Sequence, residues 1–308
     1  MIRIAFTLLA AATLLPAAQT VLLLTTDGQW IEASTTAKTA GTYPLAKVLS
    51  LHNGATASPK EAESISVGLT TIQGKDRKAR DLAVEDLTNI GLPVLTPFLD
   101  AIRDTDQHEP KPLYNLFDRI VPSIADQPDR SANLIRMEGA PPVRGPWPQG
   151  DIKVGDQTIS WSKIRLFAVQ RKIVTRAVNV HSLRHSTQIE YMDAGVSLSK
   201  NSQLTLIAKG FTRLSWKQDE WATGPNGLAK PAGNYKSNLT DGQPFGALVG
   251  KVGAQGAVQF MGESASKTGM GSGRLHLAIN DNAHWQNNLG SYAVSLTVTQ
   301  AYDLGGPI

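Results

Sequence analysis

The chain has 308 residues, 30 Lys and Arg against 26 Asp and Glu, and a net charge of +4, with no long basic block that would mark a nucleic-acid surface. It has no cysteine, which excludes disulfides, thiol catalysis and Cys-ligated zinc or iron–sulfur centres. Its 27 glycines and few aromatics suit a turn-rich β protein of more than one domain.

The N-terminus reads as a bacterial secretory signal over 1–18: Arg3 supplies the positive start, Ala5 to Leu15 an uncharged apolar run, and Pro16-Ala17-Ala18 a small-residue exit. This implies a secreted or periplasmic protein. Because the uncharged stretch continues to Leu24, an uncleaved membrane anchor is the competing reading. Short β segments are expected over 20–58, from Val21–Leu24, the turn dipeptide Asp27-Gly28, Trp30-Ile31 and Leu45–Leu51.

A helical subdomain is expected over 60–130. Ala62, Ile65, Leu69 and Ile72 recur at helical spacing, as do Ala79, Leu82, Ala83, Leu87 and Ile90, with Gly91 as C-cap. Further helices are read over 92–102 and 113–124. Arg80 to Leu99 resembles one HEAT-type helical hairpin, but a solenoid needs several stacked repeats. The Pro- and Gly-rich stretch from Gly139 to Gly150 is a linker, and β character returns over 139–185. Leu45–Leu51 matches Trp161–Phe167 in spacing, and each follows a glycine, Gly41 or Gly155. The pattern suggests two related small β units with the helices inserted between them; the alternative is chance similarity of two amphipathic strands.

A sandwich domain is expected over 186–303, where from Asp193 onward strict alternation dominates: Leu204, Leu206 and Ala208; Leu275, Leu277 and Ile279; Val294, Leu296 and Val298. The fold class is therefore multi-domain and mainly β, ending in an antiparallel β-sandwich of jelly-roll, galactose-binding-like type. Three pieces in this region carry a resemblance. They are Gln203–Gly210 with the later Gly224-Pro225-Asn226-Gly227, Pro244–Gly253 (PFGALVGKVG), and Ser272–Tyr292, which contains SGRLHLAINDN and then Asn287-Asn288-Leu289-Gly290. In order and spacing they resemble the calcium-dependent galactophilic lectins of the PA-IL type, over about Asp193 to Thr299.

The resemblance implies one calcium ion that bridges protein and galactose hydroxyls. Carried over, Asp281, Asn287 and Asn288 are side-chain ligands, with backbone carbonyls near His284 and near Leu214 completing the set. One carboxylate and two amides are hard oxygen donors suited to calcium, and with so little ligand charge the expected affinity is about 10⁻⁴ M or weaker unless rigid loops or the sugar complete the shell. Asn282, His284 and Trp285 in the same loop, and Tyr235 in the second loop, join Asp281 and Asn288 as expected sugar contacts. The sequence departs from the family in three ways: the Asp281–Asn287 loop is one residue shorter, the Phe211–Thr223 loop is longer, and Lys230, Asn234 and Tyr235 stand where the family has a sugar-contacting histidine.

Other chemistry is unsupported. His181 and His185 lack the intervening glutamate of a metalloprotease helix, Gly269–Gly273 precedes a strand and not the helix of a nucleophile elbow, and Gly250-Lys251 lacks the rest of a phosphate loop. The leading expectation is a non-enzymatic, calcium-dependent binder of galactoside-like carbohydrate, with homo-oligomerisation left open. The alternative is a structural or adhesive envelope protein whose sandwich contacts protein, and a third reading is a hydrolase sited within Thr20–Val180.

Overall fold

The computed structural model describes residues 18–54, 57–94, 97–98, 133–187, 190–215, 221–228, 242–281 and 288–305. The molecule is mainly β, with a large antiparallel sheet and, among the described residues, the two α-helices given below. Residues 1–17 of the expected signal segment and the helix expected over 113–124 lie outside the described residues; of the helix expected over 92–102, a 3-10 turn at Leu92–Val94 is seen. No helix among the described residues is long and apolar enough to cross a membrane.

The N-terminal half is built twice from the same parts. The first set is β1 (Gln19–Thr25), β2 (Trp30–Thr35), β3 (Thr39–Ala40) and β4 (Tyr43–Pro44), then a 3-10 turn at Leu45–Lys47 and β5 (Val48–His52). The helices α1 (Pro59–Thr71) and α2 (Arg77–Ile90) follow. The second set is β6 (Asn133–Met137), β7 (Val143–Gly145), β8 (Asp151–Val154) and β9 (Gln157–Ser160), then a 3-10 turn at Trp161–Lys163 and β10 (Ile164–His181). The matched stretches Leu45–Leu51 and Trp161–Phe167 are thus each a 3-10 turn that runs into a strand. The preceding hairpins turn at Gly41 and Gly155, whose positive φ of 60° and 57° glycine adopts without strain.

The two sets exchange partners about a pseudo-dyad. β1 pairs with β10 of the other set, and β6 pairs with β5, giving the strand order β2-β1-β10-β5-β6-β7. Leu51 faces Phe167 on the dyad, flanked by His52 facing Leu166 and Ser50 facing Ala168. The register repeats around it. Leu23 faces Phe167 as Ile135 faces Leu51, and Leu22 faces Glu32 as Leu134 faces Arg144. Even the irregularities match. Thr25 pairs with Ile164 but Leu24 with Leu166, and Met137 pairs with Val48 but Arg136 with Ser50, so Arg165 and Leu49 are the extra residues of two equivalent bulges. Thr26 N–H donates to Lys163 O at 2.9 Å, and Glu138 N–H donates to Lys47 O at 2.8 Å. The buried pairs Leu23 and Ile135, Leu45 and Trp161, Val48 and Ile164, and Leu51 and Phe167 fill one shared core.

The bulge residues are where the halves differ. Arg165 is buried and donates from Nε and Nη2 to the Glu61 carboxylate at 2.8 and 2.6 Å, and from Nη1 to Asn53 O at 3.1 Å. Glu61 also closes the capping box of α1: it accepts from Ser58 N–H at 2.8 Å while Ser58 Oγ accepts from Glu61 N–H. One side chain therefore starts the helix and anchors it to the sheet. α2 begins at the Asp76 cap, ends at Gly91 with φ of 73°, and packs Ala83, Val84 and Leu87 against Ile65, Leu69 and Ile72 of the helical layer.

The remaining strands are β11 (Met192–Arg213), β12 (Ala222–Thr223), β13 (Leu248–Val252), β14 (Gln259–Phe260), β15 (Ser264–Thr268), β16 (Gly273–Ile279) and β17 (Leu289–Asp303). They continue the sheet in the order β14-β13-β16-β11-β17-β10. β11 turns a corner: before it the strand pairs with β16, after it with β15, and β17 follows along the other side. At the corner Ser199 and Ser202 hydroxyls both donate to Gln300 O, at 2.9 and 2.8 Å, and Gln300 itself has a φ of 50°. The bend folds the sheet over one apolar core. The alternating residues read from the sequence, Leu204 to Ala208, Leu275 to Ile279 and Val294 to Val298, all point into it.

α2 lies against this sheet through a ladder of polar contacts one helical turn apart. Asp81 meets Lys251 at 2.8 Å, Glu85 meets His276 at 3.5 Å, and Asn89 Oδ1 accepts from Arg274 Nε at 3.1 Å. Lys251 and His276 are cross-strand partners, and Arg274 also pairs with Asp193 at 3.0 Å. Glu190 and Tyr191 line the same crevice, with the Lys251 ammonium 4.1 Å from the centre of the Tyr191 ring.

Two predictions follow from these contacts. Glu61→Ala leaves Arg165 buried without its counter-charge, which costs about 3–5 kcal/mol in urea denaturation. For Glu85, burial pushes the carboxyl up, but the hydrogen bond and charge of His276, with Arg274, outweigh it and hold the group below the ordinary glutamate value of 4.5, against Asp193. Its stabilisation is therefore present above pH 4.5 and lost as pH falls through the lower folded value. Denaturation midpoints measured from pH 7 down to pH 3 will converge for wild type and Glu85→Gln at the acid end, with wild type the more stable above it.

Candidate functional site

The three sequence pieces of the sandwich meet at one end of it as interlocked loops. Leu248 N–H donates to Pro225 O and Leu228 N–H to Phe245 O, both at 2.8 Å, which ties the 224–228 turn to the 244–248 segment. That segment is tied in turn to the end of β16: Gly246 N–H donates to Asn280 O at 2.7 Å and Asn280 N–H to Ala247 O at 2.8 Å. The Asn280 amide donates to Gln243 O and Pro244 O at 3.0 and 3.1 Å. Gly246, at φ of 81°, has no room for a side chain, since a Cβ would meet Thr223 Cγ2 at 2.5 Å and Leu214 Cδ1 at 2.9 Å. The Tyr292 hydroxyl, buried at the start of β17, reaches Gly224 O at 2.9 Å and Gly246 O at 2.7 Å and so joins both loops; burial pushes its ionisation up, keeping it a donor.

Asp281 and Asn288 stand at this end, brought side by side by β16 and β17. Both are buried, at 1% exposure, and Asn288 Nδ2 donates to Asp281 Oδ2 in a short hydrogen bond. Asn288 Nδ2 also reaches Ser182 O at 3.3 Å. Its Oδ1 is buried with no hydrogen-bond partner among the described residues. A buried amide oxygen without a donor is costly, so its position beside a carboxylate calls for a cation or donor group. Leu214 is buried in the sandwich core next to Gly246, with its N–H donating to Trp221 O at 3.1 Å, and Trp221 stacks edge-on to Phe245 at 5.8 Å. Asn282, His284, Trp285, Asn287 and Tyr235 lie outside the described residues.

Two residues absent from the sequence expectations enter this cluster from the turn after β10. Thr187 Oγ1 accepts from Asp281 N–H at 3.0 Å, and Ser182 holds Gly290 O through both its N–H and its hydroxyl, at 3.1 and 2.9 Å. Small hydroxyl residues carry no motif by which sequence alone could single them out. His181 and His185 stabilise that turn: His181 N–H donates to His185 Nδ1 at 3.1 Å and His185 N–H to His181 O at 2.7 Å. No group of three or more metal-holding His, Asp or Glu occurs among the described residues.

No protein family matches the chain. No curated protein matches it either. Among solved structures the chain is similar to one described as "EclA N-terminal domain; PllA-like lectin", at 19% identity over 41% of this chain and 96% of that chain, with a TM-score of 0.32.

Tyr292→Phe removes the hydroxyl that joins the two loops and leaves buried carbonyl oxygens short of a donor. The expected loss is about 1–2 kcal/mol, read from chemical denaturation.

Proposed function

We propose that the loop cluster at the end of the sandwich binds carbohydrate through a calcium ion. The observation that carries this reading is the buried Asp281 carboxylate beside an Asn288 amide whose Oδ1 has no partner among the described residues. Carboxylate and amide oxygens at one spot, in a chain without cysteine, favour a hard cation and calcium over nitrogen- or sulfur-seeking metals. Asp281 and Asn288 would hold the ion, joined by Asn287 and by backbone carbonyls near His284 and Leu214 as the resemblance to PA-IL-type lectins implies. The ion would offer open coordination positions to neighbouring hydroxyls of a pyranose. The chain's own part would be to fix the carboxylate and amide in place before any ligand arrives, and the bonds of Asn280, Gly246 and Tyr292 that tie the neighbouring loops together support this reading.

A galactoside-like glycan is the ligand class that follows from the three matching sequence pieces, with Asn282, His284, Trp285 and Tyr235 as its further contacts. A secreted or periplasmic location fits the apolar N-terminal segment and the encounter with such glycans.

The full-length protein is expected to be retained on immobilised galactose in calcium and released by chelator. Asp281→Ala should weaken calcium binding by at least about tenfold, because it removes the one carboxylate ligand of the set, with its thermal unfolding still cooperative. Retention that ignores chelator, or an Asp281→Ala variant that binds calcium like wild type, overturns this reading in favour of a sandwich that contacts protein.

A further inference from the structure

We infer that Thr187 and Ser182, in the turn between β10 and β11, are positioning residues of the Asp281–Asn288 pair. The inference rests on the calcium reading above and adds the residues that hold its ligands. The turn crosses the ends of β16 and β17. Thr187 N–H donates to Ile279 O at 2.9 Å, and Ile279 N–H donates to His185 O at 2.8 Å, which lays the turn alongside the last residues of β16. Thr187 Oγ1 then clasps the next two residues: it accepts from Asp281 N–H at 3.0 Å, and its single proton lies within reach of Asp281 O at 3.2 Å and Asn280 Oδ1 at 3.4 Å. Asp281 has this hydroxyl on both its backbone groups. At the start of β17, Ser182 grips Gly290 O twice and turns its own carbonyl to Asn288 Nδ2.

These contacts act on orientation. Ser182, Ser186 and Thr187 are all almost wholly buried, so each bond operates away from competing water. Asp281 follows the last residues of β16, and Asn288 directly precedes β17. The turn bonds to both positions, to Asp281 through Thr187 and to Asn288 through Ser182. Asn288 Nδ2, held by Ser182 O and Asp281 Oδ2, leaves Oδ1 as the amide atom available to an ion, and a fixed amide loses less freedom on binding than a mobile one.

The test uses the full chain with Thr187→Val, which keeps shape but loses the hydroxyl, Thr187→Ser, which keeps the hydroxyl, and Ser182→Ala. Calcium affinity is measured by titration, galactose retention on resin, and Asp281 amide hydrogen exchange without ligand. Thr187→Val is expected to bind calcium about tenfold more weakly and to exchange the Asp281 amide faster, with Thr187→Ser close to wild type on both. Ser182→Ala should weaken calcium binding in the same direction and leave exchange at Asp281 unchanged. Wild-type-like calcium binding by Thr187→Val, or equal weakening in Thr187→Val and Thr187→Ser, overturns the positioning role. Failure of the wild type to bind calcium is a different result: it overturns the calcium reading, and this role with it.

Discussion

One strand belongs to both halves of the molecule. β10 begins inside the duplicated unit, where Ile164 to Val169 are buried on both faces between β1 and β5, and ends in the sandwich, where Val174, Val178 and Val180 join the core beside β17. Side chains alternate along a strand with a period of two, so a one-residue slip at either end would reverse every face at the other. The pseudo-dyad pins the register at Leu51 and Phe167, and that choice sets which residues of β10 reach the sandwich core. It also sets where the turn after His181 falls, and with it the placement of Ser182 and Thr187 against Asp281 and Asn288.

Apolar burial and polar contact have different tasks here. The cores are ordinary: branched aliphatic side chains from facing strands, with Trp161 and Phe167 5.1 Å apart in the duplicated unit. What sits between them is charged. Glu61 with Arg165 and the ladder of Asp81, Glu85 and Asn89 are the points at which the helices meet strands. Desolvation offsets much of the attraction in such pairs, so they contribute little net stability, but a helix shifted by one turn would leave Lys251, His276 and Arg274 facing the wrong partners. The ladder fixes where α2 lies; the hydrophobic layer beneath it fixes that α2 exists.

The parts of this structure legible in the sequence were those with a short period or a local chemical signature. Alternation at Leu204–Ala208, Leu275–Ile279 and Val294–Val298 marked strands, and helical spacing with Gly91 marked the end of α2. The spacing shared by Leu45–Leu51 and Trp161–Phe167 left two readings open, related units or chance similarity of two strands, and the structure gives both stretches the same 3-10 turn and strand. The exchange of β1 and β6 between the sets was not legible, because pairing Leu23 with Phe167 depends on contacts across most of the half and leaves no trace in either segment. At the site, Asp281 and Asn288 stood out as an acid and an amide on either side of one loop. Thr187 did not, since a hydroxyl residue has a role only through what it touches.

The two ends of the helical insertion lie next to each other. His52 pairs with Leu134, and Gly54 N–H donates to Asn133 Oδ1 at 2.9 Å, so the chain leaves the sheet and returns to it through neighbouring rungs. An excursion that departs and rejoins at one place asks nothing of the host's hydrogen-bond ladder, and the entropy of closing it grows only slowly with its length. Lengthening the chain at that doorway therefore leaves the strands on either side with their partners, while Glu61 and the α2 ladder hold the helices already there to the sheet.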